Sequence, residues 1–382
     1  MNNILFLVPS AKEEVLKKYY LKRKEGISYK GTKLYIDPKK KKTSVSDMKK
    51  YIADILPQIL NKFKANILVI CDAGYFKTLC KKSKAEPYIG YACESTLGIP
   101  AFYCPSPDSI FYNPEKVSKV ISHVMEQVIN YCEGKYKEPG STIDFNKSRY
   151  YTYDQVSDIK KALLEYFNEP ILTCDIETFD LKHYRAGIAS ITFCKNQNEG
   201  IAFQVDEDAF LENKIVRKYL KEFFTNYKGK LIFHNIAFDA YVLIYQLWMK
   251  KLTDTEGLLE GLDIMLKNWD DTKLITYLAT NSCSGNNLHL KYLSQEFAGN
   301  YAQEEIDQVA SIPIQDLLKY NLTDGLSTWF VYNKYYQKMI DDNQLDIYEK
   351  IFKPATKDII QMQLTGLPID PKQLEYVKFL LK

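Results

Sequence analysis

Apolar residues along the first third of the chain alternate between the spacing of strands and the spacing of helices. Short apolar runs at Asn3–Val8 and Asn66–Cys71 predict buried strands, and Tyr88–Tyr103 predicts two short strands around a turn. Helical spacing predicts helices at Glu13–Lys22, at Ser46–Phe63, after Asp72-Ala73-Gly74 and at Pro114–Tyr131. Strands and helices that alternate in this way predict a three-layer α/β domain at residues 1–133.

A charged segment with turn-forming residues follows. Residues 134–150 include Gly134, Pro139 and Gly140 and predict a linker. Apolar runs beyond it predict strands at Ile171–Ile176, Ala189–Phe193, Gly200–Val205 and Lys230–His234. Helices are predicted at Tyr153–Phe167, Val216–Tyr227 and Ala237–Trp248, and the pattern is mostly helical from Asp271 onward. A second α/β domain is therefore predicted at residues 151–340.

Length and composition narrow the class of protein. The chain has 382 residues, which is too long for a single hydrophobic core. Two or three domains are therefore expected. Apolar residues make up 46% of it, so the chain has enough of them to bury a core and disorder is not the default expectation. No apolar run reaches the roughly 20 residues of a membrane span, and we expect no signal peptide. The eight cysteines show neither C-x-x-C pairs nor zinc-finger spacing, which predicts reduced, mostly buried thiols in an intracellular protein.

The net charge of +3 hides an asymmetry between the two parts of the chain. Residues 1–150 carry 26 Lys and Arg against 15 Asp and Glu, a net of +11, and the remaining residues carry 25 against 33, a net of −8. A basic first part suits a polyanionic partner, and an acidic second part suits bound cations. Solvated surface charge is the alternative for both parts, and we interpret the run Lys39–Lys42 as a polar loop.

Two carboxylates stand at the end of the first strand of the second domain. Asp175 and Glu177 are two residues apart after the apolar run Ile171–Cys174, so they project from the same side of the strand. No cation stands nearby in the sequence to pair with them. Adjacent anions repel each other unless a divalent cation binds between them. The pair is therefore a candidate metal site, and a pair of ordinary surface carboxylates is the alternative.

Two further motifs place polar residues at the ends of elements. Asn235 and Asp239 lie where a strand ends and a helix begins. The alternatives here are that Asn235 caps this helix and that Asp239 only stabilises the helix dipole. Tyr320 and Asp324 are four residues apart on a predicted helix and therefore share one face. Surface decoration is the alternative for this last pair taken alone.

The three motifs, in this order and context, resemble those of the DEDD exonucleases, and Tyr320 marks the subclass called DEDDy. The resemblance implies a ribonuclease H-like domain with a mixed sheet, a helical C-terminal part and two divalent metal ions, Mg²⁺ or Mn²⁺. It also implies a role for each residue: Asp175 bridges both ions, Glu177 and Asp324 hold the ion that carries the attacking water, Asp239 supports the second ion, and Tyr320 positions the water.

Smaller similarities narrow the resemblance to the proofreading domain of family A DNA polymerases. The residues that match the segment between that family's second and third motifs are Asp271-Thr272, Leu288, Leu290-Lys291 and Leu293. Leu181 stands where the family places an apolar wedge beside the terminal base, and a core leucine is the alternative. The resemblance assigns substrate binding to Thr178, Leu181, Asn235 and Phe238. It implies single-stranded DNA or a frayed primer 3′ end as substrate, in the cytoplasm of a bacterium or a phage-infected cell.

The first domain resembles the uracil-DNA glycosylase superfamily. The matching residues are Asp72-Ala73-Gly74 after a strand, Gly90, and Tyr103-Cys104-Pro105-Ser106 before Asn113-Pro114. This chain has Cys104 in place of the superfamily's His, and Val8-Pro9-Ser10-Ala11 in place of its Gly-rich water-activating loop. Without that His, nothing stabilises a departing uracil anion. We therefore expect a degenerate domain that contacts DNA or protein and excises no uracil; an unrelated α/β domain is the alternative.

The last residues resemble the opening of a family A polymerase domain. Gln363–Asp370 contains a Gly followed by an apolar-Asp pair, so residues 341–382 are assigned to the start of that domain, either truncated or split into a separate subunit. The predicted function is a proofreading 3′→5′ DNA exonuclease that works with a polymerase domain, in cis or as a separate subunit, and with other replication proteins. Two alternatives stay open: a stand-alone DNA or RNA exonuclease of repair or trimming, and a non-catalytic DNA-binding accessory module.

Overall fold

A computed structural model describes residues 2–9, 16–20, 26–35, 43–112, 114–140, 143–280, 287–301, 309–367 and 369–381. The chain divides into two units, an N-terminal unit of Met1–Ser141 and a C-terminal unit of Thr142–Lys382. The division falls inside the segment that the sequence predicts as a linker. Each unit contains its own sheet and its own helices, so the two are described separately.

The N-terminal unit is built on one mixed sheet. Its strands are β1 (Asn2–Val8), β2 (Ile27–Lys33), β3 (Ile67–Ile70), β4 (Cys93–Glu94) and β5 (Pro100–Tyr103). They lie in the order β2-β1-β3-β5-β4, and all neighbours are parallel except β4 and β5. The helices are α1 (Val45–Asp54), α2 (Leu56–Phe63), α3 (Ala73–Cys80) and α4 (Pro114–Cys132).

Side chains of β1 alternate between two hydrophobic clusters, one on each face of this sheet. Leu5 and Leu7 belong to the cluster that contains buried residues of α1, α2 and α3. Ile4 and Phe6 belong to the cluster that contains buried residues of α4. Successive residues of a strand point to opposite faces, so a fully apolar strand is buried on both sides. Helices therefore cover both faces of the sheet, as the alternation of elements along the chain predicts.

Three features of this unit differ from the sequence-based expectation or lie beyond it. The single helix predicted at Ser46–Phe63 is two helices, because Pro57 lacks the N–H that a continuous helix needs and instead lies in the first turn of α2. Strand β2 was missed because its polar sequence ISYKGTK gives it a largely exposed edge. The helix predicted at Glu13–Lys22 is described only at Leu16–Tyr20, a π-helical turn, and Lys39–Lys42 lies outside the described residues.

The C-terminal unit contains a six-stranded mixed sheet. Its strands are β6 (Arg149–Tyr151), β7 (Ile171–Glu177), β8 (Ser190–Asn196), β9 (Glu199–Gln204), β10 (Lys230–Phe233) and β11 (Trp269–Asp271). They lie in the order β11-β10-β7-β8-β9-β6, with β8 antiparallel to both of its neighbours and the other pairs parallel. The predicted strands of this region are all present, with ends shifted by a few residues.

Helices follow or separate these strands. They are α5 (Val156–Tyr166), α6 (Lys214–Asn226), α7 (Ile236–Leu247), α8 (Thr255–Met265), α9 (Thr272–Ala279), α10 (Leu290–Leu293), α11 (Gln295–Ala298), α12 (Ile314–Asp341), α13 (Leu345–Ile347), α14 (Lys353–Thr365) and α15 (Pro371–Leu380). Among the described residues, no helix combines the length and the apolar character that a membrane crossing needs. The largest core lies between the sheet and α5 to α8, and buried residues of α14 join it.

Two short edge strands of this sheet were not predicted. Arg149 and Tyr150, which the sequence places in the linker, belong to β6 and pair with β9. β11 pairs with β10 in a stretch where the sequence predicts no element. Both strands are only three residues long, too short to show a hydrophobic period. α8 was also missed; its Gly261 lies against Ile244 of α7, where a Cβ would come within 2.7 Å of Cγ2.

The long helix α12 crosses the face of the sheet opposite the largest core and packs on β7, β8 and β9. Gly325 is the point of close approach: a Cβ there would lie 2.8 Å from Sγ of Cys194 and 2.8 Å from Cγ2 of Thr192. The Thr173 hydroxyl of β7 donates a hydrogen bond of 2.9 Å to the Gly325 carbonyl. A helix held this near to two strands brings the residues beside Gly325 within reach of the strand side chains.

The cysteines behave as buried thiols. Among the described residues, seven cysteines are present, none forms a disulfide, and all but Cys132 are buried. Burial raises the pKa of Cys80 to about 12 and that of Cys93 to about 11, so both stay protonated at neutral pH. The eighth cysteine, Cys283, lies outside the described residues.

Candidate active site

The end of β7 presents two carboxylates on one face of the C-terminal sheet. Asp175 pairs in register with Thr192, and Glu177 with Ser190. Ile176, between them, points into the largest core. The side of β7 that carries Asp175 and Glu177 also carries Thr173, which is bonded to α12. The strand therefore aims both carboxylates at the helix, as the two-residue spacing predicts.

α12 supplies the third carboxylate. One oxygen from each of Asp175, Glu177 and Asp324 can be chosen so that all three lie within 4.8 Å of one another. Asp324 is buried, and the other two keep an intermediate exposure. It stands next to Gly325, so the close approach of the helix is what brings it to the strand pair. The structure thus joins residues that are about 150 positions apart in the sequence.

The fourth predicted carboxylate lies beside this trio and faces the strand backbone. Asp239, in the first turn of α7, is buried, and its Oδ1 accepts a hydrogen bond of 3.2 Å from the backbone N–H of Ile176. Its carboxylate is close enough to raise the pKa of both Asp175 and Glu177. Asp239 therefore lies beside the other three carboxylates, and its assignment to metal binding stays a prediction.

The electrostatics of the site favour a cation. Burial raises the pKa of Asp175 and Asp239 well above the usual range of a carboxyl, and neighbouring carboxylates raise it further. Burial and Asp324 raise the pKa of Glu177 to about 8. Each additional negative charge is thus costly here. Mg²⁺ and Mn²⁺ bind preferentially to oxygen ligands, and here several carboxylate oxygens converge without enough positive charge to balance them. These residues therefore fit a divalent ion.

A lysine from a remote part of the chain enters the site. The ammonium of Lys291, on α10, lies 3.4 Å from Oδ2 of Asp324 and donates a hydrogen bond to the hydroxyl of Tyr320. Burial alone lowers its pKa, but Asp324 and Tyr320 outweigh burial and the pKa is raised, so the group is charged. The sequence expectation that the acidic pair lacks a local cation is therefore incomplete, because the fold brings one from the helical region.

Tyr320 is held next to the carboxylates, where its hydroxyl is a poor base. Burial, followed by the negative charge of Asp324, raises the pKa of its hydroxyl. It therefore stays protonated, which suits the positioning role that the resemblance implies. A second tyrosine, Tyr301, donates a hydrogen bond to Oδ1 of Asp324. Asp324 is thus held from both sides, by Tyr301 and by Lys291.

The turn between β10 and α7 is organised by Asp271. Its carboxylate accepts hydrogen bonds of 3.0 Å from the backbone N–H groups of both Asn235 and Ile236. Asn235 has a left-handed backbone, φ 73°, and its side chain makes no capping bond; its Oδ1 accepts from Lys273 Nζ at 3.1 Å. The alternative that Asn235 caps α7 through its side chain is therefore wrong, because Asp271 performs that role.

The four residues assigned to the substrate differ in their surroundings. Leu181 is 78% exposed on the loop after β7, so the alternative that it is a core leucine is wrong. Thr178 is nearly buried directly after Glu177. Phe238 packs partly buried against the largest core, one residue before Asp239. Their assignment to substrate binding, like the assignment of the carboxylates to catalysis, stays a prediction.

Several residues of the site escaped the sequence analysis. The structure adds Asn321, Ser190 and Tyr301, which hydrogen-bond to the acidic residues or to one another, and Gly325, which admits the helix. Only Gly325 left a signal, since a glycine inside a long helix is costly unless close packing requires it. The other three are common polar residues whose partners are set by the tertiary fold.

The resemblance of the N-terminal unit to glycosylases stays a prediction. Asp72 caps α3, and Ser106 caps a short 3₁₀ turn, so both have structural roles. Cys104 is fully buried, and the Tyr20 hydroxyl donates a 2.8 Å hydrogen bond to the carbonyl of Pro105. Ser10, Ala11 and Asn113, on which the resemblance also rests, lie outside the described residues.

The C-terminal segment is only partly covered. Ile360 and Leu364 of α14 are buried in the largest core, so Leu364 packs on the C-terminal unit itself. Ile359, Met362 and Leu367 are exposed, the last by 90%. All residues of α15 are exposed. Pro368, in the segment that resembles a polymerase opening, lies outside the described residues.

Comparison with known families identifies the class of the protein. The sequence model of the 3′-5′ exonuclease family matches residues 150–341, half of the chain. The chain therefore belongs to the 3′-5′ exonuclease family, and its C-terminal mixed α/β unit is consistent with the ribonuclease H-like fold of these nucleases. The candidate site lies inside the matched range. No curated protein matches the chain.

The solved structures that the chain matches include nucleases and a polymerase. NrnC of Brucella melitensis with bound Mg²⁺ is 16% identical at a TM-score of 0.40, over 58% of this chain and 96% of that one. The catalytic core of RRP6 from Trypanosoma brucei is 14% identical at 0.41, over 59% and 55%. The POL domain of Pol1 from M. smegmatis, in complex with DNA primer-template and dNTP, is 11% identical at 0.40, over 60% and 34%.

Proposed function

We propose that this chain is a metal-dependent 3′→5′ DNA exonuclease that proofreads for a family A DNA polymerase. The observation that carries the proposal is the convergence of Asp175, Glu177 and Asp324 within 4.8 Å, with Asp239 and Tyr320 beside them. Membership of the 3′-5′ exonuclease family supports the reaction class. The proofreading context rests on the resemblance of the sequence motifs and on the surface described below.

Asp175, Glu177 and Asp324 would hold the divalent ions, with Asp239 completing the set. Two such ions, when bound, supply an activated water and stabilise the leaving oxygen of the phosphodiester. The residues of the chain provide position: Tyr320 keeps its proton, and its hydroxyl accepts a hydrogen bond from Lys291 close to Asp324 and Glu177. Tyr301 and Lys291 fix the carboxylate of Asp324 from two directions.

The surroundings of the site support a strand end as substrate. Leu181 is exposed on the loop that leaves β7 directly after the two carboxylates, where an apolar side chain can press against a nucleobase. Thr178 separates that loop from the metal-binding pair. The basic balance of residues 1–150 attracts a polyanion to the molecule as a whole. The proposed substrate is therefore the 3′ end of single-stranded DNA or a frayed primer.

The exposed apolar surface of the C-terminal segment supports a polymerase partner. Met362, Leu367 and Phe379 are exposed by more than half, on a segment whose sequence resembles the opening of a family A polymerase domain. Large apolar side chains that are exposed in such number favour a contact with another domain or protein. A polymerase domain, in cis or as a separate subunit, would cover them and pass frayed primer ends to the site.

The reaction is tested with a 5′-labelled oligonucleotide of one sequence, supplied as DNA and as RNA, with Mg²⁺ or Mn²⁺. We expect mononucleotides from the 3′ end of the DNA, complete loss with Asp175→Ala, and a slower reaction with Tyr320→Phe. Asp316→Ala is the control, because Asp316 is an exposed carboxylate on α12, the helix that carries Tyr320. Equal activity of Asp175→Ala and the parent chain would refute the exonuclease site.

The same assay separates the proposal from its alternatives. Faster release from RNA than from DNA would favour a stand-alone trimming enzyme, and nucleic-acid binding without release would favour an accessory module. The polymerase context is tested by adding the chain to an exonuclease-deficient family A polymerase and measuring misincorporation. If the parent chain and Asp175→Ala give the same error rate, the proofreading role is wrong.

A further inference from the structure

A polar side chain lies where the packing of α12 on the sheet calls for an apolar one. Asn321 is fully buried between Tyr320 and Asp324, and its neighbours Leu318 and Leu322 are fully buried leucines. Burying an amide in such surroundings costs free energy unless its hydrogen bonds are made. The hydrogen bonds that Asn321 makes therefore indicate why it is there.

Both ends of the Asn321 amide are engaged. Its Nδ2 donates a hydrogen bond of 2.7 Å to Oδ2 of Asp175. Its Oδ1 accepts a hydrogen bond of 3.1 Å from the hydroxyl of Ser190, which is also fully buried. Ser190 lies on β8 directly opposite Glu177. A continuous chain of hydrogen bonds thus runs from β8 through α12 to the carboxylate of Asp175.

The order of donors along this chain fixes which way the amide faces. Asp175, as a carboxylate, can only accept, so the NH₂ group of the amide must face it. The Ser190 hydroxyl, which can donate or accept, then donates its one proton to the carbonyl oxygen Oδ1. A leucine at this position would fill the space without directing Asp175. The hydrogen bond therefore sets the orientation of a carboxylate that packing alone leaves free to rotate.

An uncharged donor has an advantage at this position. An ammonium next to Asp175 would be repelled by every cation that enters the site. The ammonium of Lys291, beside Asp324, is in such a position. The amide carries no net charge, so its bond to Asp175 survives the arrival of cations. It occupies one lone pair of Oδ2 and leaves the others of the carboxylate available. Asn321 thus directs Asp175 without competing for its charge.

We propose that Asn321 is a positioning residue of the exonuclease site, which holds the carboxylate of Asp175, through an amide anchored by Ser190, in the orientation that binding of divalent ions requires. The inference rests on the proposed function, because it assigns Asp175 to the ions. Groups that orient a metal ligand in this way typically change metal affinity or activity by about 10- to 100-fold when removed.

The test compares Mn²⁺ binding, followed by electron paramagnetic resonance, with exonuclease rate as a function of Mn²⁺ concentration. Asn321→Leu should raise the Mn²⁺ dissociation constant by about 10- to 100-fold, and excess Mn²⁺ should restore part of the rate. Ser190→Ala should act in the same direction but less, because it only loosens the amide. The double variant should bind Mn²⁺ no worse than Asn321→Leu alone, since both changes break one chain.

Thr323→Val is the matched control. Thr323 is buried on the same helix, but its hydroxyl donates only to the backbone carbonyl of Lys319, at 2.7 Å. The control should lower stability by an amount similar to Ser190→Ala without changing Mn²⁺ affinity. If Asn321→Leu does not fold, Ser190→Ala decides: parental Mn²⁺ affinity in that variant overturns the inference.

The outcome for the inference is distinguishable from that for the proposed function. If Asp175→Ala is inactive and binds no Mn²⁺ while Asn321→Leu binds it as the parent does, Asn321 is only a packing residue and the exonuclease site stands. If Asp175→Ala itself keeps parental Mn²⁺ binding and activity, the proposed function fails first, and the role of Asn321 fails with it.

Discussion

Replacing Gly325 by alanine tests whether the close approach of α12 assembles the site. Gly325 lies inside the 28-residue helix, where alanine is normally the better helix former by about 1 kcal/mol. Helix propensity alone therefore predicts a more stable protein. The packing predicts the opposite, because the added methyl group would lie 2.8 Å from Cys194 Sγ and 2.8 Å from Thr192 Cγ2. The two effects have opposite signs, so the measurement decides between them.

The size of the effect follows from these contacts. Carbon atoms in proteins pack at about 3.5–4.0 Å, so the helix and the strand must separate by up to about 1 Å. Overpacking of this kind costs about 1–3 kcal/mol, which equals or exceeds the gain in helix propensity. The same displacement moves Asp324 and Asn321 away from the carboxylates of β7. A misplacement of about 1 Å lowers a reaction rate by about 100-fold, so activity should fall far more than stability.

The assay is a mutant cycle. Gly325→Ala is compared with a variant that also carries Cys194→Ala and Thr192→Ser, which remove the two atoms that the new methyl group meets. Serine keeps the hydroxyl that Thr192 donates to the carbonyl of Ile201, at 2.8 Å. The background changes alone should destabilise the protein by leaving space. With Gly325→Ala they should instead restore stability and much of the exonuclease rate.

Thermal unfolding and the rate of nucleotide release are measured for all four proteins of the cycle. If Gly325→Ala unfolds at or above the parental temperature and keeps the parental rate, the helix is not held as close as these distances indicate. If the single variant loses activity but the background changes restore none of it, the loss does not come from Thr192 and Cys194.

Two further perturbations address the scaffold of the site. Asp271→Ala should lower the free energy of unfolding by about 1–4 kcal/mol. The reason is that the carboxylate caps the first turns of both α7 and α9, and each cap contributes about 0.5–2 kcal/mol. An unchanged denaturation midpoint would contradict this. Burial lowers the pKa of His234 to about 4. The stability that neutral His234 contributes to the folded protein should therefore be lost as pH falls from about 6.5 to 4. A His234→Gln variant should lack this part of the pH dependence of stability.

The sign of the His234 effect separates it from that of the acidic site. A histidine held neutral binds fewer protons in the folded protein than in the unfolded chain, so stability rises with pH across that window. Glu177 behaves in the opposite way: its pKa is raised to about 8, so the folded protein binds more protons and stability falls as pH rises from about 4.5 to 8. The difference between the parent and His234→Gln therefore isolates the histidine.

The sequence predicts those parts of the structure that depend on neighbours along the chain. Asp175 and Glu177 share a face because a strand has a period of two, and Tyr320 and Asp324 share one because a helix repeats every 3.6 residues. Long apolar runs such as those of β7 and β10 are recognisable for the same reason. These patterns predict the paired side chains within each motif, and the meeting of the three motifs in one site is implied only by their resemblance to the DEDD exonucleases.

The sequence does not predict the tertiary contacts that hold the strands and helices of the site close to one another. Edge strands β6 and β11 are defined by the partners they pair with, and three residues carry too little pattern to show this. Lys291, Asp271 and Asn321 are likewise ordinary residues until the fold selects their partners. A hydrogen bond between positions 321 and 175 has no local signature, because its energy depends on burial that only the tertiary structure creates.

The acidic site is held together mainly by groups without net charge. The backbone N–H of Ile176 binds Asp239, the amide of Asn321 binds Asp175, and the hydroxyl of Tyr301 binds Asp324. Such donors set positions but leave the mutual repulsion of the carboxylates in place, and this repulsion adds to burial in raising the pKa of Asp175 and Asp239. Lys291 offsets part of the charge at one edge, 3.4 Å from Asp324. The fold therefore fixes the geometry of the carboxylates in advance, and the balance of their charge is left to the divalent ions that we propose to bind there.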